Sequence, residues 1–251
     1  MILISRFDQK NVTPEQASFG EKTVNKLIEL VLSRLVDAES IQVRVRGGLQ
    51  RLGRGEVDGL MIQLTNFLFR PALRVGEFQL DIGAAAVDVK QAMRRKIQLL
   101  HPSSGDLRLA ISQAQLAASL VTELSVSEGQ AGAQLQQVEC QLESGSVEAS
   151  EPATIAVYFT WITATNPETG GFTAIPEIAP GGTSIELTRL QLSENKPPEV
   201  WVKTAIDHLN NILSLHDINN RGTTFTINES TIGTGIITIK ATAHIEQFPS
   251  R

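Results

Sequence analysis

Four arginines fall within thirteen residues of "VRVRGGLQRLGRG", residues 43–55, and no acid stands among them. Arg44 and Arg46 alternate with Val43 and Val45. A strand here puts both guanidinium groups on one face and both valines on the other. Arg51 and Arg54 follow in a glycine-rich stretch, and a second basic run, Arg94, Arg95 and Lys96, comes later. Guanidinium groups pair well with phosphates and carboxylates, so this face suits an anionic partner. Nucleic acid is the poorer choice. The net charge is −5, no Lys or Arg occurs from Leu109 to Thr188, and no aromatics are interleaved with the basic residues.

Other chemistry is scarce. There is no G-x-S-x-G elbow, no P-loop and no G-x-G-x-x-G. "GGLQRLGRG" lacks the spacing and the Lys-Ser/Thr of a nucleotide loop. His101, His208, His216 and His244 are far apart, and none stands at i+3 or i+4 from another, so no metal spacing is present. Asp207 and His208 are helix neighbours about 100° apart and cannot share a face. The carboxylate pairs Glu56/Asp58 and Asp81/Asp88 read as solvated strand positions or as partners for the arginines. The single cysteine, Cys140, excludes an intramolecular disulfide; beside Val138 and Leu142 at a spacing of two, it reads as a small buried hydrophobe on a strand. The expectation is a non-enzyme with no cofactor and no metal.

These residues need elements to carry them. The clearest helix is "NVTPEQASFGEKTVNKLIELVLSRLVDAES", with Thr13 as cap, Pro14 at the first helical position and Gln16 as capping-box partner. Val24, Leu27, Ile28, Val31 and Leu35 form its apolar face, widened by Leu30, Leu32 and Val36. "ISQAQLAASLVTELS" is a second helix. Ser112 and Gln115 form a capping box, Ile111 and Leu116 a staple, and Leu116, Leu120 and Leu124 with Ala117 and Val121 its buried face. Pro197 and Pro198 open a third, "PPEVWVKTAIDHLNNILSLH", buried through Val202, Ile206, Leu209 and Ile212 or Leu213.

Strands fill the remainder. "SIQVRVRG", "GEVDGLMIQLTNFLF" with Gly59 as a bulge, and "LRVGEFQLDIGAAAVDV" come first, the last placing Phe78, Leu80 and Ile82 on one face. "MRRKIQLLHP" and "GDLRLAIS" follow. Later, "ATIAVYFTWITATNPETGGFTAI" predicts a hairpin with its turn at Asn166–Gly171, and Ile155, Val157, Phe159 and Trp161 on one face. "TSIELTRLQL", "TTFTIN" and "GIITIKATAHIEQF" complete the set. Short connections favour antiparallel neighbours, and few helices among many strands argue for α+β. Charge divides along the chain. Through Ala110 there are 16 Lys+Arg against 12 Asp+Glu; from Ile111 onward there are 6 against 15. The basic part can face an anionic partner, or the two parts can attract one another.

The stretch "AESIQVRVRGGLQRLGRGEVDGLMIQLTNFLFRPALRVGEFQLDIGAAAVDVKQAMRRKIQLLHPSSGDLRLAISQAQLAASL" resembles the LmeA-like bacterial phospholipid-binding family, in a version similar to those common in cyanobacteria. So does "IELTRLQL…PPEVWVKTAIDHLNNIL…GIITIKATAHIEQFP", while roughly residues 125–180 lie outside the likeness. The resemblance implies an α+β fold, a curved and mainly antiparallel sheet wrapped around a few amphipathic helices. It also implies an apolar groove or tunnel for phospholipid acyl chains, in the style of tubular lipid-binding proteins. On this view residues 1–251 form one elongated domain. Residues 14–124 make an N-terminal half, 125–180 a polar, acidic, strand-rich insert, and 181–251 a C-terminal half.

The first and third helices carry more apolar surface than one sheet contact requires. Leu27, Ile28, Val31 and Leu35, with Val202, Ile206, Leu209 and Leu213, are therefore the expected lining of the tail groove. Arg44, Arg46, Arg51 and Arg54, with Arg94, Arg95 and Lys96, are the expected contacts to head groups of an anionic membrane. The partners expected are phospholipid and that membrane surface, not nucleic acid. A scaffold protein binding another protein through sheet edges is the alternative. The N-terminus lacks the basic region and apolar core of a signal peptide, and no run approaches the ~20 apolar residues of a spanning helix. A cytoplasmic protein, peripheral to a membrane, is the expectation.

Overall fold

A computed structural model describes residues 25–26, 28–30, 32–34, 36–52, 54–86, 98–125, 133–146, 151–163, 166–216 and 222–247. Ten of the twelve strands among these form two principal sheets. β1 (Ser40–Arg46), β3 (Gly59–Arg70), β4 (Leu73–Ile82), β6 (Gln98–Ser112), β11 (Thr223–Gly233) and β12 (Ile236–Gln247) make a six-stranded sheet in the order β1-β3-β4-β6-β12-β11. β7 (Gln134–Glu143), β8 (Thr154–Thr163), β9 (Asn166–Ile178) and β10 (Ile185–Leu192) make a second, ordered β10-β9-β8-β7. A two-stranded ribbon pairs β2 (Glu56–Val57) with β5 (Ala85–Ala86). Every pairing is antiparallel, and the α+β expectation is met. The stretch expected as an insert supplies β7, β8 and β9.

Register explains why the six-stranded sheet is apolar on one face only. Val43 pairs with Ile62, Ile62 with Leu80, Leu80 with Leu107, Leu107 with Ala241 and Ala241 with Ile227. One row further along, Arg44, Met61, Asp81, Asp106 and Thr242 stand opposite one another on the other face. Because side chains alternate with a period of two, each strand sends its apolar set inward and its polar set to solvent. Residues 98–102 of the run "MRRKIQLLHP" and the run "GDLRLAIS", expected as separate strands, join in β6, which carries Pro102 within it.

Four helices accompany the sheets among the described residues. α1 is helical at residues 25–26, 28–30 and 32, α2 is the single turn Leu49–Leu52, α3 spans Gln113–Ser125 and α4 spans Glu199–Ile212. α3 packs against β7 of one sheet and against β4 and β6 of the other, and it also contacts α4. α3 thus lies between the two sheets, in keeping with the expected antiparallel sheet packed on a few helices. Buried side chains from Leu73 to Ile245 join one core cluster.

α3 begins as its residues dictate. Gln115 Oε1 accepts from the Ser112 N–H at 2.9 Å, and Ser112 Oγ accepts from the Gln115 N–H at 3.3 Å. This reciprocal pair is the capping box. Leu116, Leu120 and Leu124 are fully buried. Val121, expected on that face, is instead 46% exposed, and Ser119 takes a buried position. Ser119 meets His208 on the face of α3 toward α4, and Val121 lies about 200° further round the helix. In α4 the buried residues are Trp201, Val202, Ala205, His208, Leu209 and Ile212. Trp201 is stacked near Phe159 and edge-on to Trp161 of β8.

Three further expectations are corrected. The β8–β9 turn lies between Thr163 and Asn166, which pair, so Asn166–Gly171 belongs to β9. Gly59 opens β3 without a bulge. The Arg46 guanidinium lies across it, and an added Cβ would come within 2.8 Å of Nη2. Leu30 is 53% exposed rather than covered, because α1 turns Asn25 and Glu29 toward β1. Leu27, Val31 and Leu35 lie outside the described residues, as do Thr13, Pro14, Gln16 and Val24.

Two outcomes test this account. Ser112→Ala should lower the stability of the folded chain by about 1 kcal/mol, read as a lower urea midpoint at unchanged m-value. Cys140 is buried on β7, and burial pushes its thiol up to about 12. A thiol reagent at pH 8 should leave the native protein unmodified and label it only in denaturant.

Candidate functional site

The arginine-rich segment turns the edge of the six-stranded sheet. Val43 and Val45 are buried, while Arg44 and Arg46 are exposed on the outer face. β1 is an edge strand, and α1 covers that edge: Glu29 Oε1 accepts from the Val43 N–H at 3.0 Å, and Asn25 Oδ1 from the Val45 N–H at 2.8 Å. Two donors that would otherwise invite another strand are thereby satisfied. After β1 the chain turns through α2 into β2. Arg51 Nε donates to Glu56 Oε2 at 3.2 Å, and its Nη1 pairs with Asp58. Glu56 and Asp58, one of the carboxylate pairs noted in the sequence, are thus partners of one arginine. No ion pair with Arg44, Arg46 or Arg54 is found among the described residues, and all three side chains are exposed. Arg94, Arg95 and Lys96 lie outside the described residues.

The same end of the molecule carries apolar surface. Glu56 pairs with Ala86 and Val57 with Ala85. The Gly83 N–H donates to Ser104 O at 3.0 Å, and Ser103 Oγ to Ala84 O at 3.1 Å. The ribbon therefore sits beside β6, with Leu52, Val57, Ala85 and Ala86 half-buried and Leu100 exposed. Above it, on the inner face of β3 and β4, Leu60, Ile62 and Phe78 are half-buried, and Phe67 and Phe69 of β3 are half-buried too. Phe67 packs edge-on to both Phe69 and Phe78, at 6.2 and 5.6 Å between ring centroids. Asn66, with φ 47°, stands at the bend between Phe67 and the earlier part of β3.

Of the residues expected to line a tail groove, Ile28 is half-buried on α1. Val202, Leu209 and Leu213 are packed in the core, and Ile206 is half-buried against it. The structure brings the α4 set together with the second sheet. The sequence places Phe78 on the apolar face of its strand, but Phe67 and Phe69 went unremarked; the signal available was "NFLF", three successive apolar residues near the end of β3. A pocket of about 390 Å³ that includes Gln79, Asp81, Asp106, Arg108, Glu229 and Lys240 in its lining opens on the outer face.

One polar cluster is buried. His208 Nε2 lies 2.5 Å from Ser119 Oγ, and His208 Nδ1 lies 3.6 Å from Glu123 Oε2. The connectivity is that of a nucleophilic triad. Ser119, however, is fully buried in the middle of a helix, where no carbonyl substrate can reach Oγ. The cluster braces α3 against α4. Burial lowers His208 below the ordinary histidine value, Glu123 opposes that shift and Arg70 adds to it. Among the described residues no group of three or more His, Cys, Asp and Glu is placed to hold a metal ion, and no helix is long and apolar enough to cross a membrane.

Comparison with curated proteins and with solved structures found no match. Comparison with protein families gave one that spans both sheets and all four helices. The model for LmeA-like phospholipid-binding proteins matches residues 16–242, and the chain belongs to that family.

Proposed function

We propose that this protein binds a phospholipid without catalysis, its acyl chains laid against the inner face of β3 and β4 and its phosphate toward the arginine-bearing end. The observation that carries this is the uneven cover of one apolar face. Under α3, α4 and the second sheet, Leu107, Leu109, Ile111, Ile237 and Ile239 are buried to 2% exposure or less. Toward β1, Leu60, Ile62, Phe67, Phe69 and Phe78 stop at half burial. Large aromatic and branched side chains left half-covered, with polar strands around them, suit an apolar ligand. The lining then comprises these five with Ile28 of α1; Leu27, Val31 and Leu35, expected beside it, lie outside the described residues. Val202, Ile206, Leu209 and Leu213 back the site from within the core.

Arg44, Arg46 and Arg54 orient this end on an anionic membrane, with Arg94, Arg95 and Lys96 as a second contact. Arg51, already held by Glu56 and Asp58, contributes less. Exchange of lipid with that membrane is the role this geometry suits, and membership of a phospholipid-binding family supports the binding itself.

Native mass spectrometry of the purified chain should show a retained phospholipid. Phe67→Ala with Phe78→Ala should cut its occupancy severalfold, at a stability cost below the ~3–5 kcal/mol typical of fully buried phenylalanines. Full retention by that variant would sink the assigned face. Binding to phosphatidylglycerol vesicles should weaken steeply between 0.01 and 0.1 M salt, as the Debye length falls from about 30 to about 10 Å. Changing Arg44, Arg46 and Arg54 to Gln should weaken it by about fivefold per charge removed, near 1 kcal/mol each. Arg51→Gln alone should cost less, and binding to neutral vesicles should not change. Equal binding by the triple variant would leave the basic face merely solvated.

A further inference from the structure

We propose that His208 is a pH-sensitive brace, holding α3 to α4 while neutral and loosening them, and the end of β3, when it gains a proton. The geometry is a three-element junction. From α3, Ser119 Oγ lies 2.5 Å from His208 Nε2, and Glu123 Oε2 lies 3.6 Å from Nδ1. From β3, the Arg70 Nη2 donates to Ser214 O at 2.6 Å and Nη1 to Asn211 Oδ1 at 3.5 Å, both just beyond His208 in the chain. The Arg70 guanidinium also lies 5.6 Å from the centre of the Phe69 ring. On α4 itself Lys203 and Asp207 are exposed, and β8 meets the helix through Phe159 and Trp161.

His208 is 8% exposed, so a proton there is a charge placed in a poorly solvated site. Glu123 is about half exposed, so solvent screens the attraction that it offers. Arg70 repels the new charge. The folded-state value therefore falls below the ordinary 6.5, and between the two the unfolded chain binds more protons. Stability is complete above the ordinary value and declines as pH falls toward the folded one. Strain at Arg70 reaches Phe69, and thereby, if β3 forms the acyl floor as read above, the retention of lipid. This last link rests on that reading; the brace does not.

The test uses the full chain. Ring-proton NMR should show His208 titrating below the ordinary histidine range. The urea midpoint should fall between pH 7.5 and 5.5, and His208→Gln should lose at least half of that fall. A titration at or above the ordinary range, or an unchanged fall in the variant, overturns the brace. Should His208→Gln not fold, Glu123→Gln serves. Removing its carboxylate should move the His208 titration further down, and no movement overturns the cluster's role. Retained lipid, counted by native mass spectrometry at both pH values, should drop on acidification in the parent only. If the NMR and urea results hold while neither protein carries lipid at pH 7.5, the brace stands and the phospholipid reading falls.

Discussion

The pairing of β6 with β12 is the constraint on which the rest of the structure depends. Leu107, Leu109 and Ile111 stand directly opposite Ala241, Ile239 and Ile237, and none exceeds 2% exposure. A sheet whose central strands are this apolar on one face must be covered there, since burial of that face is the main favourable contribution to folding. α3, α4 and the second sheet supply the cover. α3 follows β6 without a loop, through the Ser112–Gln115 capping box, so the strand that most needs cover leads directly into the helix that provides it.

The cover has limits that follow from its size. α3 and α4 carry thirteen and fourteen residues, or roughly 20 Å each at 1.5 Å per residue. Six strands about 4.8 Å apart span some 24 Å. Helices packed over β4, β6 and the second sheet leave the β1 side to α1 and to the half-buried residues of β3 and β4. The edge itself is closed by polar means. Glu29 and Asn25 take the outward N–H groups of Val43 and Val45, and two exposed arginines occupy the solvent face. A strand so decorated is a poor template for another strand, which weakens the case for assembly through this edge.

Ser119 and His208 bring polarity into the contact between α3 and α4. The Ser119–His208 contact sits among Leu116, Leu120, Ala205 and Leu209, all fully buried. A leucine pair there would pack at least as well, but it would not tie one helix register to the other or respond to acid. The Ser119–His208 contact lies on the face of α3 that meets α4, and Val121, about 200° further round the helix, points to solvent.

Much of the fold was legible from local pattern. Alternation placed Val43 and Val45 inside and Arg44 and Arg46 outside, the capping box marked the first turn of α3, and the spacing around Cys140 marked it as buried. Short connections between strands implied antiparallel neighbours. These succeed because each depends on a few adjacent residues and on a fixed period. What the chain does at long range was not legible. The division into two sheets depends on which strands find one another, and β12 pairs with β6 across more than a hundred residues. The partnership of Ser119 with His208, eighty-nine residues apart, has no local signature. Nor does the choice of Arg51 over its three neighbours as the partner of Glu56 and Asp58. The apolar excess of the first and third helices was read from the sequence alone, but only tertiary packing decided that α4 is spent on the core and that β3 and β4 are left half-covered. An amphipathic face records that a residue will be buried; what it is buried against is decided by topology.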